Sequence, residues 1–216
     1  MNKEYFDIKD NCRKGLLIYL EKAISILPKI ENPQILDAGC GSGVPTLFIA
    51  EKFDGKITAI DPDIKSIAIL RGKIKELNLT NKVILSNCSL FDINANDNQF
   101  DLIIAEGLLN VVGFQKGYLR IVELLKRNGF IIIHDELCNQ NAKIEFIENN
   151  DCKILGSFVL DEQIWWNDYY KCLENKILSI SNKELLKSFK PDLAEIKSFK
   201  KDSSQYNSIY YVIEKK

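Results

Sequence analysis

Residues Ile35 to Gly43 read ILDAGCGSG, and their types and spacing suit the close approach of a nucleotide-type ligand to bare backbone. Asp37 stands at the carboxyl end of a short apolar run. Gly39, Gly41 and Gly43 then alternate, and VPTLFIA (44–50) opens a helix. Glycine leaves no side chain between such a turn and a ligand, and the free N–H groups of the helix that follows point at whatever sits there. About 20 residues further on, the apolar run 56–60 ends in Asp61-Pro62-Asp63, where an acidic residue is placed to accept hydrogen bonds from ribose hydroxyls. Asp61 also reads as a helix N-cap with Pro62 at the first helical position, and one residue can serve both ends.

The glycines follow D-x-G-x-G-x-G and not the G-x-G-x-x-G of dinucleotide folds. Further segments come in a telling order: ITAIDPD (57–63), VILSNCSLFDI (83–93), QFDLIIAEGLL (99–109) and LLKRNGFIIIHDE (124–136). Together they make residues 30–160 resemble the class I S-adenosylmethionine-dependent methyltransferases. The resemblance implies a Rossmann-like, mostly parallel seven-stranded sheet with helices on both faces and an antiparallel last strand. It implies S-adenosylmethionine as cofactor, contacted by Asp37, Gly39, Cys40, Gly41, Gly43, Asp61 and Pro62. Cys88 and Ser89 fall in the adenine-contacting segment, and Glu106 borders the methionine portion. Cys88 departs from the family pattern, which often has an acidic residue there, so the adenine is left to backbone or to the Ser89 hydroxyl.

Methyl transfer is an in-line displacement whose reactivity comes from the cofactor. The protein aligns the partners and excludes water, and a base is needed only where the acceptor must lose a proton. The candidates lie where strands end: Glu106 after the fourth, His134 and Asp135, with Glu136, after the fifth. His134 titrates near neutrality when unperturbed, and it reads equally as a structural histidine.

The elements that must position these groups follow from hydrophobic period. Leu16, Leu17, Leu20, Ile24 and Leu27 make 10–30 an amphipathic helix; the resemblance implies that such a leading helix covers the cofactor, so Tyr5, Phe6 and Tyr19 read as lid residues or as ordinary packing. Strands at 34–37, 56–60, 82–86, 100–105 and 129–134 alternate with helices at 43–53, 63–78 and 114–127, the pattern of a parallel sheet covered on both faces. Asn128-Gly129 reads as the stop of the last of these helices. A helix at 139–149, a strand at 153–160 and an edge strand at 208–214 complete the set. The reading is one domain: a helical cover (1–32), a cofactor-binding core (33–160), a helical insertion (161–205) and the last strand (206–216). The insertion is far longer than a strand connection requires. It breaks at Ser181-Asn182 and at Pro191, and it begins with Trp165, Trp166, Tyr169 and Tyr170. At i,i+4 spacing, Trp166 pairs with Tyr170 and Trp165 with Tyr169, as walls of a substrate pocket or as packing.

Lys and Arg number 29 against 30 Asp and Glu, a net charge of −1 that offers no basic surplus to a nucleic acid. The absence of an Asn/Asp-Pro-Pro-aromatic segment argues the same way. No apolar run approaches the roughly 20 residues of a membrane span, and the first residues lack an apolar signal core. The six cysteines form no C-x-x-C pair and read as reduced thiols of a cytoplasmic protein. One histidine excludes a multi-histidine metal site, and no metal is expected. An arsenic or thiol acceptor would draw on Cys138, Cys152 or Cys172, whose spacing gives it no specific support. The leading expectation is a methyltransferase acting on a small molecule, with no nucleic acid or membrane partner. A protein or RNA methyltransferase and a non-catalytic S-adenosylmethionine-binding module are the alternatives. Oligomeric state stays open.

Overall fold

The computed structural model describes residues 3–93, 96 and 98–216; residues 1 and 2 of the expected cover lie outside them. Seven strands, β1 (Gln34–Ala38), β2 (Lys56–Ile60), β3 (Val83–Ser86), β4 (Phe100–Glu106), β5 (Leu125–Glu136), β6 (Cys152–Leu160) and β7 (Ser208–Lys215), form one sheet in the order β3-β2-β1-β4-β5-β7-β6. All pairings are parallel except those of β7, which runs against both β5 and β6. This is the expected fold.

The central strands are apolar on both faces because helices cover both. In β4, Leu102 and Ile104 join one apolar cluster while Ile103 and Ala105 join the other. The first side is covered by α2 (Leu17–Ile26), α3 (Val44–Lys52) and α4 (Ile64–Glu76). The second is covered by α5 (Leu109–Val112), α6 (Phe114–Leu124) and α7 (Gln140–Glu148).

Two local expectations are corrected. The helix expected to reach 127 ends at Leu124, where Leu125 N–H closes on Ile121 O and Leu125 already pairs with Phe100 of β4. The next partners are Leu102 and Phe130, so residues between Leu125 and Phe130 loop out within β5. Asn128, at φ +58°, makes that loop rather than a helix stop. The last strand is no edge: β7 lies between β5 and β6, which is why Ser208–Ile213 are all buried. β6 takes the edge, with most of its side chains partly or fully exposed.

The buried members of a third apolar cluster all come from the two ends of the chain. Tyr5, Phe6 and Cys12 of α1 (Lys3–Arg13) and Leu16 pack on Tyr169, Tyr170, Leu173 and Ile177. Leu185, Phe189, Ile196 and Phe199 complete it. The residues from Tyr169 onward come from a π-turn (Trp166–Tyr170) and from α9 (Lys171–Leu178), α10 (Lys183–Ser188) and α11 (Lys190–Lys201), with Phe189 at the junction of the last two, after the short α8 (Glu162–Trp165). The amphipathic helix expected at 10–30 is α1 and α2 joined by a single 3-10 turn, Lys14–Leu16.

Within this cluster Cys12 and Cys172 form a disulfide, their Cα atoms 5.5 Å apart across 160 residues of sequence. The reading of six reduced thiols is thus corrected; spacing along the chain carries no sign of a contact made by two helices from opposite ends. Non-reducing peptide mapping should recover Cys12 and Cys172 in one linked fragment, with Cys40, Cys88, Cys138 and Cys152 free. Reduction should lower the melting temperature, in keeping with the about 2–4 kcal/mol that such crosslinks contribute. Recovery of six free thiols would show that packing alone holds α1 on α9.

Candidate functional site

The glycine turn hooks back onto β2: the N–H groups of Gly39 and Cys40 both donate to Ile60 O, at 2.9 and 3.0 Å. Asp61 fastens its middle, accepting from Gly41 N–H at 2.9 Å with one oxygen and from Asp63 N–H at 2.8 Å with the other. The N-cap of α4 is therefore Asp63, which accepts from Lys65 and Ser66 N–H and from the Ser66 hydroxyl. Pro62 precedes the helix and does not open it. Those hydrogen bonds, the Ser66 hydroxyl first, hold the Asp63 carboxyl below its usual range. Asp37 sits under the turn, 2% exposed, where Thr46 Oγ1 donates to it at 2.5 Å. Burial pushes its pKa up to about 7, so ionising Asp37 opposes folding as pH rises from its unfolded value toward 7.

Above the turn lies a cavity of about 450 Å³. Its floor is Gly39–Pro45 with Asp63 and Ser66, and Glu106-Gly107 close one end. α1 supplies the facing wall through Tyr5, Phe6, Lys9, Asp10 and Arg13, joined by Tyr169 of the π-turn. α1 is tied to the turn itself: Ser42 Oγ donates to Asp10 at 2.5 Å, and Lys73 bridges Asp10 and Ser42 O. Gly41, at φ +51°, has open space where a Cβ would stand, so its backbone is bare to the cavity. Gly43, at φ +92°, is bare for another reason: a Cβ there would lie 2.2 Å from Leu70 Cδ1.

A second cavity of about 590 Å³ meets the first at Lys9, Arg13, Gly107 and Tyr169. It lies over the carboxyl end of β5 and the start of β7 and is roofed by the insertion. Trp165, Tyr169 and Tyr170 line it and Trp166 does not. The π-turn changes the expected i,i+4 pairing. Trp165 approaches both Tyr169 and Tyr170, at 6.1 and 6.0 Å between centroids, while Trp166 stacks on Phe199. Of the other expected lid residues, Tyr5 and Phe6 reach the first cavity, and Tyr19 instead donates to Asp168 at 2.6 Å.

Each side chain singled out as a base is engaged. Glu106 accepts from the Tyr210 hydroxyl and from Arg13 at 3.4 Å. Asp135 pairs with Lys143 at 2.6 Å. His134 is 5% exposed, stacked between Tyr210 and Trp165, with Nε2 2.8 Å from Ser208 Oγ. Since Ser208 Oγ also accepts the Trp165 indole N–H at 3.0 Å, its own proton is free for His134 Nε2. Burial, with the nearby Arg13 charge, depresses the His134 pKa to about 3. Cys88 and Ser89 lie just past β3 and outside both cavity walls: Cys88 accepts from Ser86, and Ser89 donates to Asp92 at 2.5 Å.

Sequence spacing did not single out Lys9, Arg13, Asn110, Glu195 or Tyr206–Ser208. A signal existed for the last group: an antiparallel final strand must begin at the carboxyl edge of its parallel neighbours, where ligands bind. For Arg13 and Glu195 there was none.

A family profile described as "Methyltransferase domain" matches residues 30–176. The (S)-coclaurine N-methyltransferase of Papaver somniferum is 25% identical over 194 residues, 88% of this chain and 49% of that protein. The release factor glutamine methyltransferase of Buchnera aphidicola subsp. Baizongia pistaciae is 36% identical over 89 residues, 41% of this chain and 31% of that protein. The chain thus spans at most about half the length of these relatives. Among solved structures, the [4+2]-cyclase SpnF superposes with a TM-score of 0.78 at 17% identity, over 92% of this chain and 80% of that one. Geranyl diphosphate C-methyltransferase from Streptomyces coelicolor A3(2), solved with S-adenosyl-L-homocysteine, gives 0.62 at 14%, over 91% and 77%. These structural likenesses establish the fold.

Two outcomes follow from the geometry. Gly41→Ala should cost about 1–2 kcal/mol of stability for its left-handed backbone and obstruct the first cavity, whereas Gly43→Ala should destabilise the fold more, through Leu70. Equal melting temperatures would refute the distinction. The chain has one histidine, so one imidazole signal reports it by NMR. That signal should stay in the neutral form from pH 8 to below 5. With the folded pKa depressed, this group's contribution to stability is present above about 6.5 and is lost as pH falls toward 3. Titration near 6.5 would show an exposed ring.

Proposed function

The chain belongs to the methyltransferase-domain family, and on that premise we propose that it transfers a methyl group from S-adenosylmethionine to a small molecule held under the insertion. The observation that carries this reading is the meeting of the two cavities at Gly107, Arg13 and Tyr169. One has the walls a nucleoside amino acid needs; the other has the size and aromatic lining of a small-molecule pocket.

The residues present fit the cofactor. Gly41 leaves backbone bare to the cavity, and Gly107, at φ +63°, likewise has open space at its Cβ position. At the end of β2, Asp63 lines the first cavity for the ribose, while Asp61 lies outside both cavity walls and holds the turn behind it. Glu106 and Arg13 offer a carboxylate and a guanidinium for the ammonium and carboxylate of the methionine portion. When bound, the cofactor supplies an electrophilic methyl carbon on a sulfonium. The chain's own work is placement. α1 and Tyr169 cover the first cavity and limit water, and the insertion holds the acceptor against the boundary at Gly107. His134 stays neutral, Asp135 and Glu106 stay paired, and none of them takes a proton in this reading. The name of the Papaver relative, an N-methyltransferase of (S)-coclaurine, supports a small-molecule acceptor.

Calorimetry should show saturable binding of S-adenosylmethionine and S-adenosylhomocysteine and no comparable binding of NAD; binding of NAD alone would overturn the reading. With an acceptor found by labelled-methyl screening, Trp165→Ala should lower kcat/KM at least about tenfold, near 1.4 kcal/mol, with little change in cofactor affinity. Trp166→Ala should chiefly lower the melting temperature. The reverse pattern would put the acceptor elsewhere.

A further inference from the structure

The charges around the second cavity do not cancel. Its basic residues are already matched, Lys9 by Asp192 at 2.7 Å and Arg13 by Glu106 at 3.4 Å. Among its carboxylates only Asp135 has a cation, Lys143. Glu136 accepts from Asn110 Nδ2 at 3.4 Å and from the Cys138 thiol at 3.5 Å. Glu195 accepts from the Tyr170 hydroxyl at 2.6 Å. Neither carboxylate has a basic partner among the described residues, although Lys143 Nζ donates to the backbone oxygen of Glu136 at 2.6 Å. The same cavity presents the rings of Trp165, Tyr169, Tyr170 and Tyr206.

Uncompensated negative charge beside aromatic rings selects one ligand chemistry. Organic cations are attracted both to carboxylates and to ring faces. An anionic acceptor would add to the negative charge and gain nothing from the rings. Resting on the methyltransferase reading, we propose that the acceptor is an organic amine that enters the second cavity as its ammonium ion, among these rings and balanced by Glu136 and Glu195. The ammonium gives its proton to water past the exposed Glu136. The nitrogen lone pair then forms the N–CH₃ bond as the methyl–sulfur bond breaks and its electron pair stays on sulfur. The products are a methylated ammonium ion and a neutral thioether.

Matched probes test this: benzyldimethylammonium, benzyl alcohol and benzoate, titrated calorimetrically into the full chain with and without S-adenosylhomocysteine. The cation should bind at least tenfold more tightly than either of the others. Glu195→Gln keeps an acceptor for Tyr170 but removes the charge; it should weaken the cation roughly tenfold and leave S-adenosylhomocysteine affinity unchanged, and Glu136→Gln should act in the same direction. Benzoate or benzyl alcohol binding as well as the cation, no binding of any probe, or a cation affinity indifferent to both variants would overturn the amine class while leaving methyl transfer intact. Absence of cofactor binding beside an intact cation preference would instead sink the methyltransferase reading and uphold the cavity's selectivity.

Discussion

The turn that follows Asp37 is the constraint on which the rest depends. Main-chain donors of Gly39 and Cys40 share one acceptor, Ile60 O, and Gly41 N–H is taken by Asp61. β1 and β2 are thereby clamped at their carboxyl ends by hydrogen bonds from the backbone of the turn. The clamp fixes where α3 and α4 begin, brings Asp63 to the cavity and leaves Gly41 uncovered. It also gives α1 something to dock on, since Ser42 and Lys73 hold Asp10 against the turn.

The cover and the insertion behave as one structure, although they lie at opposite ends of the sequence. Together they bury Tyr5, Phe6, Leu16, Tyr169, Tyr170, Phe189 and Phe199 in a shared cluster. The Cys12–Cys172 bridge, the Lys9–Asp192 pair and the Tyr19–Asp168 hydrogen bond join them across the cavities they roof. Access to the site therefore depends on contacts remote from the sheet.

Polar groups near the meeting of the two cavities are nearly all committed to one another. Glu106 is shared between Arg13 and Tyr210, Asp135 is held by Lys143, and His134 is locked between rings and Ser208. Such an arrangement suits alignment better than proton transfer, because a base must have a free lone pair and a pKa near the working pH. The SpnF likeness carries the same message from another side: this fold is shared with a cyclase, so the fold does not decide the reaction and the site must.

The sequence alone determined the alternating strands and helices, the family, and the glycine turn with its acid at the end of β2. Each of these is written in local spacing, where neighbours along the chain are neighbours in space. It misjudged the stop of α6, because Asn128-Gly129 looks like a helix end until Leu125 is seen pairing with Phe100. It took β7 for an edge, since an alternating apolar run cannot say how many strands flank it. It divided the Trp-Trp-x-x-Tyr-Tyr cluster by an α-helical period that a π-turn replaces. Only the tertiary structure decided that Cys12 meets Cys172, that Arg13 meets Glu106, and that Glu195 and Tyr206 stand beside Trp165 around one cavity. Those residues are brought together by the order of strands in the sheet and the docking of the two chain ends, contacts between distant positions that no local periodicity records.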